Sequence, residues 1–186
     1  GAGDFFGVVT SNPQFVADAN GQKFLDKLAT MIGTKNDASE VNRVLAFAGA
    51  SQDATVSFSL LHSLGAGLQN ARSSLAKVAQ PAALEAVMKK ANEVVTQETM
   101  PMALRKQAVQ LLGSANYNDA AAALLGVLDR NQPDDMQIAA VAALGKFSDA
   151  RVSAELINRW KSFSPRLKTE VVSILLAKPE RAVALI

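Results

Sequence analysis

The sequence predicts an all-α fold, a right-handed superhelix of about ten helices stacked as antiparallel pairs in an α-solenoid. Three observations predict it. Hydrophobic residues make up 49% of the 186-residue chain but aromatics only 5%. The apolar mass is therefore Ala, Leu and Val, which suits slim helices in close contact better than β-sheet faces. The apolar stripes have a 3.6-residue period, and none alternates over a strand's length. The third observation is a count. QAVQLLG at 107–113, AAVAALG at 139–145 and VVSILLA at 171–177 recur at a constant offset of 32, as do Pro101, Pro133 and Pro165. A fixed period in this range marks stacked helical units, none of which buries its apolar stripe alone.

Taken in order, residues 4–20 contain FFGVV and read as one or two short cap helices. Residues 21–98 read as two irregular helix pairs. Phe24, Leu25, Leu28, Met31 and Ile32 form a stripe closed by Gly33, and Asp37 with Glu40 forms a capping box before Val41, Val44, Leu45 and Ala48. Asp53 caps the next helix, with Val56, Leu60, Leu64 and Leu68. Gly65 and Gly67 within it either permit close helix approach or end it early. After QNARSS, Pro81 opens a longer helix carrying Leu84, Val87, Met88, Ala91, Val94 and Val95.

Residues 101–186 read as regular repeats at that offset, the last truncated. Each proline begins a helix, and the leucines Leu112, Leu144 and Leu176 stand at matching places toward the helix ends. Gly113 and Gly145 follow as expected C′ residues in left-handed turns. The second helix of each unit aligns Leu124, Leu125 and Leu128 with Leu156, Ile157 and Trp160, so Trp160 is expected in the core. In the third unit, an offset of 31 aligns Met136 with Leu167 and Val141 with Val172, whereas 32 keeps the prolines in step; both stay open. The closing PERAVALI resembles a helix interior with no stop signal, which suggests a boundary cut from a longer protein.

Chemistry is sparse. Without cysteine the chain has no disulfide, thiolate site or thiol nucleophile, and His62 alone makes neither a metal site nor a catalytic pair. Asp134 and Asp135 suit a first helical turn, where carboxylates complement the macrodipole. The glycines match no phosphate-binding loop, and no apolar run reaches membrane-span length. No catalytic centre, cofactor or metal is expected. Charge is nearly balanced, with 8 basic against 9 acidic residues in 1–99 and 11 against 8 in the remainder.

The runs LRKQAVQLLG, LLGVLDRNQP, AAVAALGKFSDARVSAELINRWKSFSP and VVSILLAKPERAVALI resemble the HEAT-like repeat region of large bacterial exported or membrane-bound dehydrogenase-like proteins. The resemblance spans residues 4–186 and is most specific in DARVSAELINRWKSFSP. In that family a sugar-dehydrogenase-type β-propeller precedes the repeats and a c-type cytochrome segment follows. The resemblance implies a HEAT/armadillo-like solenoid, a periplasmic or exported setting with the signal segment outside this sequence, and a scaffold or spacer role. It carries over no enzyme activity, because neither the propeller nor the haem motif is in this chain.

The expected function is thus non-catalytic interaction with a protein partner or a neighbouring domain. Candidate interaction residues are Tyr117 and Phe147 in rim turns, and Arg159 and Lys161 in the basic stretch toward the end. The alternative is a DNA-binding HEAT-repeat protein of the alkylpurine glycosylase type. A DNA groove needs basic residues at equivalent positions of successive units, yet Arg105 and Lys106 are answered by Gln137 and Ile138. No nucleic-acid partner is expected.

Overall fold

The computed structural model describes residues 1–129 and 131–177, and every regular element among them is helical. In order these are α1 (Ala2–Thr10), α2 (Pro13–Ala17), α3 (Ala19–Lys35), α4 (Ala38–Ala50), α5 (Ala54–Asn70), α6 (Leu75–Val78), α7 (Pro81–Thr96), α8 (Met102–Leu112), α9 (Tyr117–Gly126), α10 (Asp134–Lys146), α11 (Arg151–Asn158) and α12 (Pro165–Leu176), with a 3-10 turn at Trp160–Ser162. That is twelve α-helices among the described residues rather than about ten. The extra ones include α6, four residues long, too short to display a period.

The helix starts follow local chemistry. Asn12, Asp18, Asp37, Asp53 and Ser164 each accept a backbone N–H of the first turn, such as Thr55 N to Asp53 Oδ1 at 2.8 Å. Pro13, Pro81 and Pro165 are first helical residues, where a missing N–H costs nothing, and Pro101 and Pro133 stand one position earlier. The expected capping box forms only by half. Glu40 N donates to Asp37 at 3.0 Å, but the Glu40 carboxylate accepts from Lys35 Nζ at 2.8 Å.

The chain divides into two compact units, with the boundary inside α7 after Lys90. In the first, α3 and α5 lie side by side and run in the same direction. Ser59 Oγ donates to Asp26 at 2.7 Å near their starts, and Gly33 meets Gly67 near their ends. Gly33 therefore does not close its helix. The chain leaves α3 at Asn36, whose φ of 59° is the left-handed conformation that asparagine tolerates. A second layer pairs α1 with α4, again codirectional: Gly3 packs on Glu40, Asp4 pairs with Arg43, and the Phe6 and Phe47 rings meet edge-on at 5.7 Å. The early part of α7 joins α4 through Gly49 and Ala86, and Lys90 Nζ donates to the Ala48 carbonyl at 3.1 Å. Leu25, Ile32, Val44, Leu45, Leu64 and Leu68 fill the space between the layers.

In the second unit α8, α10 and α12 run in the same direction, and α9 packs on α8 and α10. Gly113 abuts Ala143, and Gly145 abuts Ile174. The buried set Leu104, Arg105, Ala108, Val109 and Leu112 of α8 returns, at the offset of 32, as Met136, Gln137, Ala140, Val141 and Leu144 of α10. In α12 the buried residues are Leu167, Val171 and Leu175, each offset by 31 from its counterpart in α10, namely Met136, Ala140 and Leu144. The shorter offset is the structural one. Ser164 accordingly takes the N-cap place that Pro133 holds in α10, and Leu176, aligned by the longer offset, is 60% exposed.

Two expectations need correction here. Gly113 is right-handed at φ −63°, Gly145 lies within α10, and no described glycine has positive φ. Both glycines serve instead to omit a Cβ: one added at Gly113 would sit 3.1 Å from Ala143 Cα, and one at Gly145 would sit 2.9 Å from Ile174 Cδ1. Trp160 is not in the core. Helix α11 ends at Asn158, Trp160 falls half-buried in the 3-10 turn, and Phe163, 4% exposed, occupies the buried place. Arg105, whose charge has no basic counterpart one period later, is 5% exposed. Its Nε and Nη2 donate to the Val95 carbonyl at 3.1 and 2.9 Å, and Nη2 also donates to Gln132 at 2.8 Å. Its counterpart Gln137 does the same for the Asp129 carbonyl, at 2.7 Å. The remainder of the truncated last repeat after Ala177, including Val183, lies outside the described residues.

Candidate interaction site

Tyr117 is the first residue of α9, and Phe147 directly follows α10. The turns before α9 and after α10 bring their rings together edge-to-face, with centroids 5.7 Å apart at 85°. Phe147 is buried, so it supports the half-buried Tyr117 rather than facing solvent itself.

Arg151, the first residue of α11, lays its guanidinium over the Tyr117 ring, 4.4 Å from the centroid. Asp149 fixes that guanidinium. Arg151 Nε donates to Oδ1 at 2.9 Å and Nη2 to Oδ2 at 2.7 Å, while the Arg151 backbone N–H also donates to Oδ1 at 2.9 Å. Nη2 further donates to Asn118 Oδ1 on α9 at 2.7 Å. The fork–fork geometry uses guanidinium planarity, which a lysine would lack.

The electrostatics follow from these contacts. The Arg151 side-chain bonds, and then its backbone N–H, hold the Asp149 carboxyl down to about 2. The same pairing raises Arg151 above its usual value. Burial raises the Tyr117 phenol, and the nearby Glu155 charge adds to the effect. These shifts move carboxyl and phenol away from neutrality, the reverse of what acid–base catalysis at neutral pH uses.

Helix periodicity extends the site. Arg151, Glu155 and Arg159 stand at i, i+4 and i+8 and so form one ridge of alternating charge. Arg159 Nη1 pairs with Glu155, and both charges act on the Tyr117 phenol. Arg159 thus joins Tyr117 and Phe147. Lys161 does not; it is exposed on the 3-10 turn, and the cation over the neighbouring Trp160 ring is Lys168, at 5.6 Å.

Sequence reasoning missed Arg151 and Asp149 as site residues. The signal was their spacing, since an aspartate just before a helix accepts the N–H two positions on and so holds the arginine beside it. Elsewhere His62 is exposed, and no cluster of three or more His, Cys, Asp or Glu suited to a metal ion occurs among the described residues. No helix among them is long and apolar enough to cross a membrane. Compared with protein-family models, curated proteins and solved structures, the chain gives no match.

Proposed function

We propose that the chain is a non-catalytic helical-repeat scaffold, a right-handed HEAT/armadillo-like solenoid that binds a protein partner or a neighbouring domain of a larger exported protein. The observation that carries this reading is the codirectional α8, α10 and α12, with their buried positions recurring first at an offset of 32 and then of 31. Such units gain a core only by stacking, which leaves their turns free to vary as binding surface. The rim formed by Tyr117, Arg151, Glu155 and Arg159 is the proposed contact, because an aromatic with a preset guanidinium presents a rigid, low-entropy anchor. The resemblance to dehydrogenase-like proteins supplies the setting, between a propeller and a cytochrome segment.

The local pairing of the basic side chains favours this scaffold over a DNA groove. Arg105 is buried, Lys106 and Arg166 share Asp135, Arg151 holds Asp149, and Arg159 holds Glu155.

Amine cross-linking of the intact gene product tests the reading, using the exposed Lys146 and Lys161 as reporters. Cross-links to another domain or protein are expected, and these should be lost in Tyr117→Ala with Arg151→Ala. Links confined to this chain's own helices would refute the scaffold role. The full gene tests the setting, which requires a propeller upstream and Cys-x-x-Cys-His downstream.

A further inference from the structure

The first unit carries an apolar face that the unit itself leaves open. Phe24 of α3 meets Phe5 of α1 and Phe15 of α2 edge-to-face, both at 5.9 Å. Phe5 and Phe24 are nevertheless 49% and 41% exposed. Val8 lies one turn beyond Phe5 and Met31 two turns beyond Phe24, exposed by 69% and 63%. Single exposed apolar residues are ordinary, but a contiguous aromatic cluster of this kind marks a contact surface.

The exposed charges that α3 sets beside it are basic. Lys23 and Lys27 lie one turn apart along the exposed side of α3, beside Phe24 and Met31, and both side chains are exposed. Neither forms an ion pair among the described residues. The nearby carboxylates are all engaged within the unit. Asp4 pairs with Arg43, Asp18 accepts the Asn20 and Gly21 N–H groups at the start of α3, and Asp26 accepts the Ser59 hydroxyl from α5. The face is thus apolar with two exposed lysines along its α3 edge.

We propose that this face docks an acidic amphipathic helix of a partner protein, its apolar side on Phe5, Phe24 and Met31 and its carboxylates on Lys23 and Lys27. Helix-in-groove recognition reads such anchors at i, i+3, i+4 and i+7. A lipid surface fits less well, since polybasic lipid-binding segments carry roughly four to eight basic residues and this edge carries a single pair. The inference rests on reading the chain as a binding scaffold, but not on the Tyr117 rim.

The probe is a fluorescein-labelled helical peptide with Leu at i, i+3, i+4 and i+7 and Glu elsewhere, titrated by anisotropy. Saturable binding that weakens with salt is expected. Lys23→Glu with Lys27→Glu, or Phe24→Ser, should weaken it at least tenfold while leaving the helical circular dichroism unchanged, and a Lys-for-Glu peptide should bind at least tenfold more weakly than the acidic one. Equal binding of the two peptides, or indifference to the substitutions, would overturn the proposal. So would co-sedimentation with phosphatidylserine vesicles in place of peptide binding. Tyr117→Ala should leave peptide binding intact while removing the rim cross-links, so failure at one surface is distinguishable from failure at the other.

Discussion

Gly33 and Gly67 stand face to face where α3 meets α5. A Cβ on Gly67 would lie 2.8 Å from Thr34 N, and one on Gly33 would lie 2.8 Å from Leu68 N. The obstructing atoms are backbone, so no rotamer change relieves the clash. Gly33→Ala and Gly67→Ala should each destabilise by about 1–3 kcal/mol or more, the usual cost of overpacking. Gly65 lies in the same helix as Gly67, with nothing near its missing Cβ. Gly65→Ala should therefore stabilise by roughly 0.5–1 kcal/mol through helix propensity. Urea unfolding separates these outcomes, and a neutral Gly67→Ala would disprove the close crossing.

Arg105 and Lys106 are adjacent but should respond very differently. Arg105→Met strands the buried Val95 carbonyl and Gln132 amide oxygen, at a cost of about 1–3 kcal/mol. Lys106 makes only an exposed ion pair with Asp135, so Lys106→Ala should change stability by less than about 1 kcal/mol. Equal melting temperatures for the two variants would contradict the burial of Arg105.

Asp149 should titrate near 2 in the folded chain, against 3.8 for an unperturbed carboxyl. A depressed folded value means that the Asp149–Arg151 contribution is fully present above the unperturbed value and fades as the pH falls through the window from 3.8 toward 2. Arg151→Gln should return Asp149 toward its ordinary value. Carboxyl carbon shifts followed by NMR read this directly, and an unmoved Asp149 in that variant would assign the depression to another cause.

Phe163 holds the buried place that repeat alignment gives to Trp160. Phe163→Ala should cost about 3–5 kcal/mol as a buried aromatic truncation, and Trp160→Ala clearly less. Trp160 fluorescence should be quenched by acrylamide in the native state, since the ring is half-buried beneath Lys168. A blue-shifted emission protected from quencher would return Trp160 to the core.

Nucleic acid should not bind at physiological salt. Phosphate neutralisation needs several free cations on one surface, and Arg105, Lys106, Arg151, Arg159 and Arg166 are buried or paired. Sub-micromolar duplex binding with a steep salt slope in an anisotropy titration would reverse this conclusion.

The amino-acid order alone determined what depends on neighbours within a turn or two. The start of α4 at Asp37, that of α5 at Asp53 and that of α7 at Pro81 follow from side-chain acceptors and a fixed φ. The buried stripe Val41, Val44, Leu45 and Ala48 follows from helical period. The recurrence of the prolines and the aromatic identity of Tyr117 and Phe147 were equally plain. Tertiary structure decided what depends on two segments meeting. A glycine after a leucine reads alike whether it supplies a left-handed turn or leaves room for a neighbour, and only the approach of Ala143 and Ile174 assigns the second role to Gly113 and Gly145. The choice of 31 over 32 came from which faces of α10 and α12 are buried. Arg151 reached the candidate site because packing set the start of α11 beside the start of α9. Capping and amphipathicity act over a few residues and are written locally, whereas close approach belongs to pairs of helices whose distance no single stretch of chain encodes.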